Sequence, residues 1–296
     1  MTGLGGHGTK LSDAGVPDAG GSDAGVLANQ VDGVLFDVDD TLVDTRGAFT
    51  VAWEAAVGQF LPHLGADDVP AVVRTWRADA GGYYAAYTAG RMPYAEQRVR
   101  RVNALHAEHG GPELDEDAFA SWNEVFESAF QGAWTAFEDA LAAIASVRRA
   151  GIAVGVVTNA RSDYQRLKLE RAGIEVPEVL VGMDAFGVGK PDPRVFLEGA
   201  ALLGTAPGRT VYVGDELHVD ALGALTAGLR GVWLDRPGTR GRDIPEGEIE
   251  AAVARGAVRV ESLGELADAL VVALPAGPGA SSAPPRAWLD LPPALG

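Results

Sequence analysis

The sequence has no cysteine, which rules out a disulfide framework and a thiolate metal site and fits a reducing compartment. Positive charge is scarce. Against 41 Asp and Glu there are only 24 Lys and Arg, a formal net charge of −17. That balance disfavours a nucleic-acid backbone or an anionic membrane surface as partner, and any anionic ligand must be held by a local gathering of cations. Also missing is any apolar run near the length of a membrane span. The expectation is a soluble cytoplasmic protein, monomer or homodimer, whose partner is a small molecule rather than nucleic acid or membrane.

At 296 residues there is room for a main domain with a large core and a smaller second one. Residues 1–30 are Gly, Asp and Ala with few large apolar side chains, and Asp-Ala-Gly recurs at Asp13, Asp18 and Asp23. Such a segment buries too little to offset its ordering entropy, so disorder is expected. It lacks the basic start and apolar centre of a signal peptide. The end of the chain, 275–296, is rich in Pro, Gly, Ala and Ser and reads the same way, although Trp288 and Leu289 could dock locally.

Between Arg46 and Ala136 the pattern is helical. Phe49, Trp53, Val57 and Phe60 recur every three or four residues, as do Phe119, Trp122, Phe126 and Phe130. Val99, Val102 and Leu105 form a third stripe behind Pro93, which is placed to open its helix. These stripes are taken as the core of a helical domain over 46–136. On either side, 31–45 and 137–274 alternate strand and helix. Strands are expected at 153–158, 179–182, 210–214 and 231–234, with helices near 138–150, 161–172, 193–203 and 218–227. Gly151, Gly173, Gly204 and Gly228 stand where those helices should stop. Repeated βα units imply a doubly wound parallel sheet, a Rossmann-like α/β core, with a last helix near 264–272 on its edge.

The stretch Val31–Thr45 organises the rest. Val34, Leu35 and Phe36 read as a strand buried on both faces, followed at its carboxyl end by Asp37, Asp39 and Asp40. Carboxylates two residues apart on an extended strand point to opposite faces, so both reach one centre only if the backbone turns or one contributes its carbonyl. Like charges about 4 Å apart cost roughly 4 kcal/mol at an effective dielectric near 20. A cation with oxygen ligands, Mg²⁺ being the economical choice, would relieve them. The other strands end in polar groups too: Thr158-Asn159, the loop Phe186–Pro193 with Lys190, and Asp215 followed by Asp220. Parallel strands put these ends on one edge, so Asp37, Asp39, Thr158, Lys190, Asp215 and Asp220 should converge.

Asp37-Val-Asp39-Asp-Thr41, Thr158-Asn159, Lys190-Pro-Asp-Pro193 and Gly214-Asp215-Glu-Leu-His-Val-Asp220 together resemble the haloacid dehalogenase superfamily, in the branch with a helical C1-type cap after the first strand, such as the phosphoglycolate phosphatase and phosphomutase-like members. The resemblance spans about 31–274. It implies a Mg²⁺-dependent phosphatase of a small phosphorylated metabolite, with Asp37 as the nucleophile that forms an aspartyl-phosphate. Asp39 would be general acid and then base, which asks for surroundings that disfavour its charge. The metal would be held by Asp37, the Asp39 carbonyl and Asp215, with Asp220 in or beside its ligand set, and Thr158, Asn159 and Lys190 would hold the phosphoryl group. Family members that release halide lack an acid two residues after the nucleophile, so Asp39 favours a phosphatase over a dehalogenase. A sugar phosphomutase, or a silent module that binds a phosphorylated metabolite, stays open. Two features depart from the pattern or stand apart from it. His218 lies in the acidic loop, as an organiser of a nearby carboxylate or as a surface residue. Arg91, Arg98, Arg100 and Arg101 form a basic patch, as a holder of a second anionic group or as a solvated helix face paired with acids such as Glu96.

Overall fold

The computed structural model describes residues 31–240 and 243–271. The expected disorder of 1–30 and 275–296, with the suggested docking of Trp288 and Leu289, lies outside the described residues.

In chain order, β1 (Gly33–Phe36) leads into the helices α1 (Thr45–Phe60), α2 (Val69–Ala78), α3 (Tyr83–Thr88), α4 (Tyr94–Glu108) and α5 (Glu116–Gly132). Alternation then resumes: α6 (Ala140–Arg149), β2 (Ala153–Val157), α7 (Ser162–Arg171), β3 (Val179–Val181), α8 (Pro193–Leu202) and β4 (Thr210–Gly214). It continues with α9 (Leu222–Thr226), β5 (Arg230–Leu234), α10 (Glu246–Ala254), β6 (Val258–Val260) and α11 (Leu263–Val271). The strands pair in parallel in the order β3-β2-β1-β4-β5-β6. Phe36 lies beside Val156 on one side and Val213 on the other. The order reverses at β1, and that reversal opens the crevice where such sheets hold ligands.

The short apolar strands behave as two-sided burial demands. Val34 and Phe36 join one apolar cluster, while Leu35 between them joins another with Val157 and Tyr212 on the other face. The four glycines expected to end helices do so with φ from 70° to 82°, a region that costs other residues a Cβ clash. Two elements were not foreseen. The sheet edge is β6, preceded by α10, and the last helix, α11, packs against α6.

The helices of 46–136 bury their aromatic stripes as expected. Trp53, Trp122 and Phe126 are wholly buried, and the Trp53 ring lies 5.0–5.5 Å from those of Phe126, Trp76 and Trp122. The chain leaves the sheet and returns at one place, where Val43 bridges to Ala136. The Asp44 and Phe137 N–H groups donate across that crossing to Thr135 and Leu42.

One buried histidine in α4 makes the helical part acid-sensitive. His106 is 0% exposed, its Nδ1 lies 3.0 Å from the Pro112 carbonyl, and its Nε2 has no partner. Because a carbonyl only accepts, Nδ1 carries the proton and Nε2 is a buried lone pair. Burial holds the imidazole below its ordinary value of 6.5, against the bond to Pro112. The folded protein therefore binds fewer protons than the unfolded chain just below pH 6.5, and stability falls as pH drops through that window. Thermal unfolding from pH 7.5 to 5.5 should show a shallower loss in His106→Gln than in the wild type; equal slopes would contradict this.

Candidate active site

The turn after β1 solves the problem posed by alternating carboxylates. Asp37 still donates its N–H to the Val213 carbonyl (2.8 Å). Thr41, Leu42 and Val43 then all donate to the Val38 carbonyl, and Asp40 takes φ 61°, so the chain doubles back at once. Asp37 ends 5% exposed at the sheet edge.

Lys190 meets it there. Its ammonium is 2.7 Å from Asp37 Oδ1 and 2.8 Å from Asp220 Oδ1, and all three residues are buried. Asp220 reaches back because residue 214 is glycine, since a Cβ there would lie 2.3 Å from the Asp220 Cγ. Its second oxygen accepts from the Glu216 N–H at 2.9 Å. Burial pushes the Asp37 carboxyl up to about 7; Lys190 pulls it down, while Asp220 and Asp39 push with the burial. Burial alone would lower Lys190, but its two carboxylate partners hold it well above the ordinary range.

Oxygens of Asp37, Asp215 and Asp220 all lie within 4.8 Å of one another. Burial and the charges of Asp40 and Asp220 hold the Asp215 carboxyl well above its ordinary range, against the pull of Arg46. Arg46 spans Asp215 (2.6 Å) and Asp40 (3.2 Å). Acids thus outnumber cations around one point, and the donors are all hard oxygens, so the residues present fit a Mg²⁺ ion.

Asp39 departs from expectation. Its surroundings were to disfavour its charge. Instead Oδ1 accepts from the Lys168 ammonium and from Thr45 Oγ1 (2.7 Å), and Oδ2 from Gln165 Nε2 (2.6 Å). Burial would raise this carboxyl, but Lys168 and the two neutral donors outweigh it and hold it below the usual range. The physical reason is α7: Gln165 and Lys168, three apart, present one helical face to the sheet edge. The Lys168 ammonium also lies 5.3–5.6 Å from the ring centres of Trp134, Phe130 and Tyr164.

Thr158 is 1% exposed and accepts from the same Gln165 amide at 2.8 Å, so its own hydroxyl hydrogen is left to donate. The Asn159 side chain, expected on substrate, is committed elsewhere. Its Oδ1 accepts from the Lys190 N–H (2.5 Å) and its Nδ2 donates to the Lys190 carbonyl (3.0 Å), so it fixes the lysine's backbone. His218 is exposed beside Glu248 at 2.9 Å, the surface alternative. The basic patch divides. Arg100 pairs with Glu96 in solvent at 2.7 Å, whereas Arg98 and Arg101 turn inward, to Glu127 at 2.9 Å and onto the Trp76 ring at 3.7 Å.

A cavity of about 990 Å³ opens between these helices and the sheet edge. Asp39, Arg46, Lys168 and Asp215 line it from below, and Trp76, Arg77, Tyr84, Arg98 and Arg101 from the helical side. Sequence reasoning did not single out Arg46, Arg77, Gln165 or Lys168. One signal was there for Arg46: a cation in a helix's first turn opposes the macrodipole and calls for acids nearby.

A buried carboxylate held by an ammonium stands beside an acidic cluster at the switch point of a parallel sheet, a candidate active site whose oxygen donors suit a metal. Comparison with known proteins agrees. A model of haloacid dehalogenase-like hydrolases matches residues 31–228, and the chain belongs to that family. It is 36% identical to a phosphoserine phosphatase of Thermus thermophilus over 51% of this chain and 58% of that one. It is 28% identical to a glyceraldehyde 3-phosphate phosphatase of Methanopyrus kandleri over 73% of this chain and 92% of that one. A solved HAD family hydrolase from Deinococcus radiodurans R1, with bound phosphate and sodium, is 26% identical, with TM-score 0.60 over 82% of this chain and 96% of its own.

Proposed function

We propose that the protein is a Mg²⁺-dependent phosphatase that hydrolyses a small phosphorylated metabolite through an aspartyl-phosphate on Asp37. The observation that carries this reading is Lys190 joined at 2.7 Å to a buried Asp37. An acid raised by burial yet paired with a fixed cation is a nucleophile whose charge is balanced without being quenched. The phosphatase names of the two relatives support the ester, and the phosphate in the Deinococcus structure supports the anion.

Asp37 attacks phosphorus, the bond to the alcohol oxygen breaks, and that oxygen takes its proton from Asp39. Water then attacks the aspartyl-phosphate and gives its proton to Asp39, releasing phosphate and restoring Asp37. Held by Lys168, Thr45 and Gln165, Asp39 is ready as the base. As the acid it must first gain a proton, and an entering phosphoryl dianion favours that uptake. Thr158 and Lys190 donate to the phosphoryl oxygens. Asp37, Asp215 and the Asp39 carbonyl would hold Mg²⁺, which when bound neutralises phosphoryl charge as a Lewis acid. Asp220 stands in or beside that ligand set and keeps Lys190 in place. Residues 46–136 act as a cap over the core of 31–45 and 137–274, entered and left at the Val43–Ala136 bridge.

With p-nitrophenyl phosphate, chelator-treated protein should lose turnover and recover it on addition of Mg²⁺, releasing inorganic phosphate with each turnover. Equal turnover in chelator, or product that keeps its phosphate on a second acceptor, would contradict this.

A further inference from the structure

The cations around the cavity are nearly all engaged. Arg46 and Lys168 bind the acids of the site, Arg98 binds Glu127, and Arg101 lies beside Asp79 with a bond to the Trp76 carbonyl. Two others at the rim pair with their neighbours, Arg161 with Asp163 and Arg240 with Asp235. Among the described residues Arg77 is the exception: it lines the cavity and makes no hydrogen bond or ion pair.

Its direction follows from the helix. In α2, Val72, Val73 and Trp76 are buried. Arg77 stands four residues after Val73 and so shares its face, and Val73, Trp76 and Arg77 all line the cavity. Arg77 is exposed to solvent, as is Arg74 one helical turn before it, but of the two only Arg77 lines the cavity. Arg77 is held below the ordinary arginine range by burial and by the Arg46 guanidinium, with Asp40 and Asp215 acting the other way. Arg46, however, already occupies both of those acids. The Arg46 and Arg77 guanidinium groups repel, Asp40 and Asp215 offset part of that repulsion, and an anion entering beside Arg77 would give it the hydrogen-bonded partner it lacks. The transferred phosphoryl group has its own donors on the core, Lys190 and Thr158. Arg77 belongs to the cap, where the alcohol half of the ester would lie.

We propose that Arg77 receives a second anionic group of the substrate, a carboxylate or a further phosphate on the alcohol half, and so selects phosphorylated acids over phosphorylated neutral alcohols. This rests on the phosphomonoesterase reading above. It gives one arginine of α2 the role that was one of two alternatives for the patch of Arg91, Arg98, Arg100 and Arg101.

The test is a matched pair, 3-phosphoglycerate and glycerol 3-phosphate, which differ by a carboxylate in place of a hydroxymethyl group. Fructose 1,6-bisphosphate and fructose 6-phosphate form a second pair for the phosphate alternative. Each ester is measured as substrate and as inhibitor of p-nitrophenyl phosphate turnover, in the wild type, Arg77→Gln and Arg77→Lys. Loss of a charged hydrogen bond should lower kcat/KM, or weaken inhibition, about tenfold or more for the anion-bearing member of at least one pair. KM should carry the change. The neutral member and p-nitrophenyl phosphate should stay within about twofold, inside the spread of surface substitutions, and Arg77→Lys should recover part of the loss. An equal fall for both members of each pair, no fall in either, or a wild type that favours the neutral members overturns the inference while leaving the phosphatase reading intact. A wild type that hydrolyses none of these esters, p-nitrophenyl phosphate included, overturns that reading and this inference with it.

Discussion

Asp37→Asn is expected to abolish phosphomonoester turnover, by about a thousandfold or more, because an amide oxygen does not form the acyl-phosphate. The same change should leave the metal-free protein as stable as the wild type at neutral pH, or more so. The sign follows from the carboxyl itself. Its folded value, about 7, lies above the ordinary 3.8, so between those limits the folded state binds more protons than the unfolded one. Stability is thus lost as pH rises through the window, and an uncharged Asn escapes the loss. Lys190 keeps Asp220 at 2.8 Å in the variant, so no cation is stranded. Steady-state kinetics and thermal unfolding in chelator, measured together, check both halves. Retained turnover, or a clear drop in stability, would count against Asp37 as a strained nucleophile.

Lys190→Met should have the opposite profile, losing both activity and stability. The ammonium is the ion-pair partner of two buried carboxylates, Asp37 and Asp220. Removing one side of a buried pair costs about 3–5 kcal/mol, since the remaining charges stay desolvated and unpaired. Because burial pushes the Asp37 carboxyl up to about 7, the part of the cost that comes from its charge should shrink as pH falls and Asp37 takes up its proton. Denaturant unfolding at pH 7.5 and pH 5 separates this from lost packing, which would cost the same at both. Turnover near the wild-type level would mean that the phosphoryl group is held by other residues.

The contrast between these variants shows what the sequence could and could not disclose. Asp37, Thr158, Lys190, Asp215 and Asp220 were legible because each follows a short apolar strand, and parallel strands leave no choice about which edge their ends share. The strands β2 to β5 fell within a residue of their expected bounds for the same reason. β6 and α10 were hidden: Val258-Arg-Val is three residues long, and Glu246–Ala254 has no strong apolar stripe. Lys168, Gln165 and Arg77 were hidden for a different reason. They sit on helices, and the face a helical residue presents depends on how that helix is rotated against its neighbours, which packing at distant positions decides. Asn159 was read as a substrate contact, but the hydrogen-bonding groups of an amide can serve a backbone as readily as a ligand, and here both serve that of Lys190. The surroundings of Asp39 were misjudged because Lys168 stands 129 positions away in the chain.

The most direct test of the chemistry is a rapid quench of enzyme and substrate into acid, followed by mass spectrometry of the peptide that contains Asp37. A phosphoryl group on Asp37, formed and lost at rates that match turnover and absent from Asp37→Asn, is the expected result. Turnover with no phosphorylated enzyme at any time, or with the label on another residue, would contradict it.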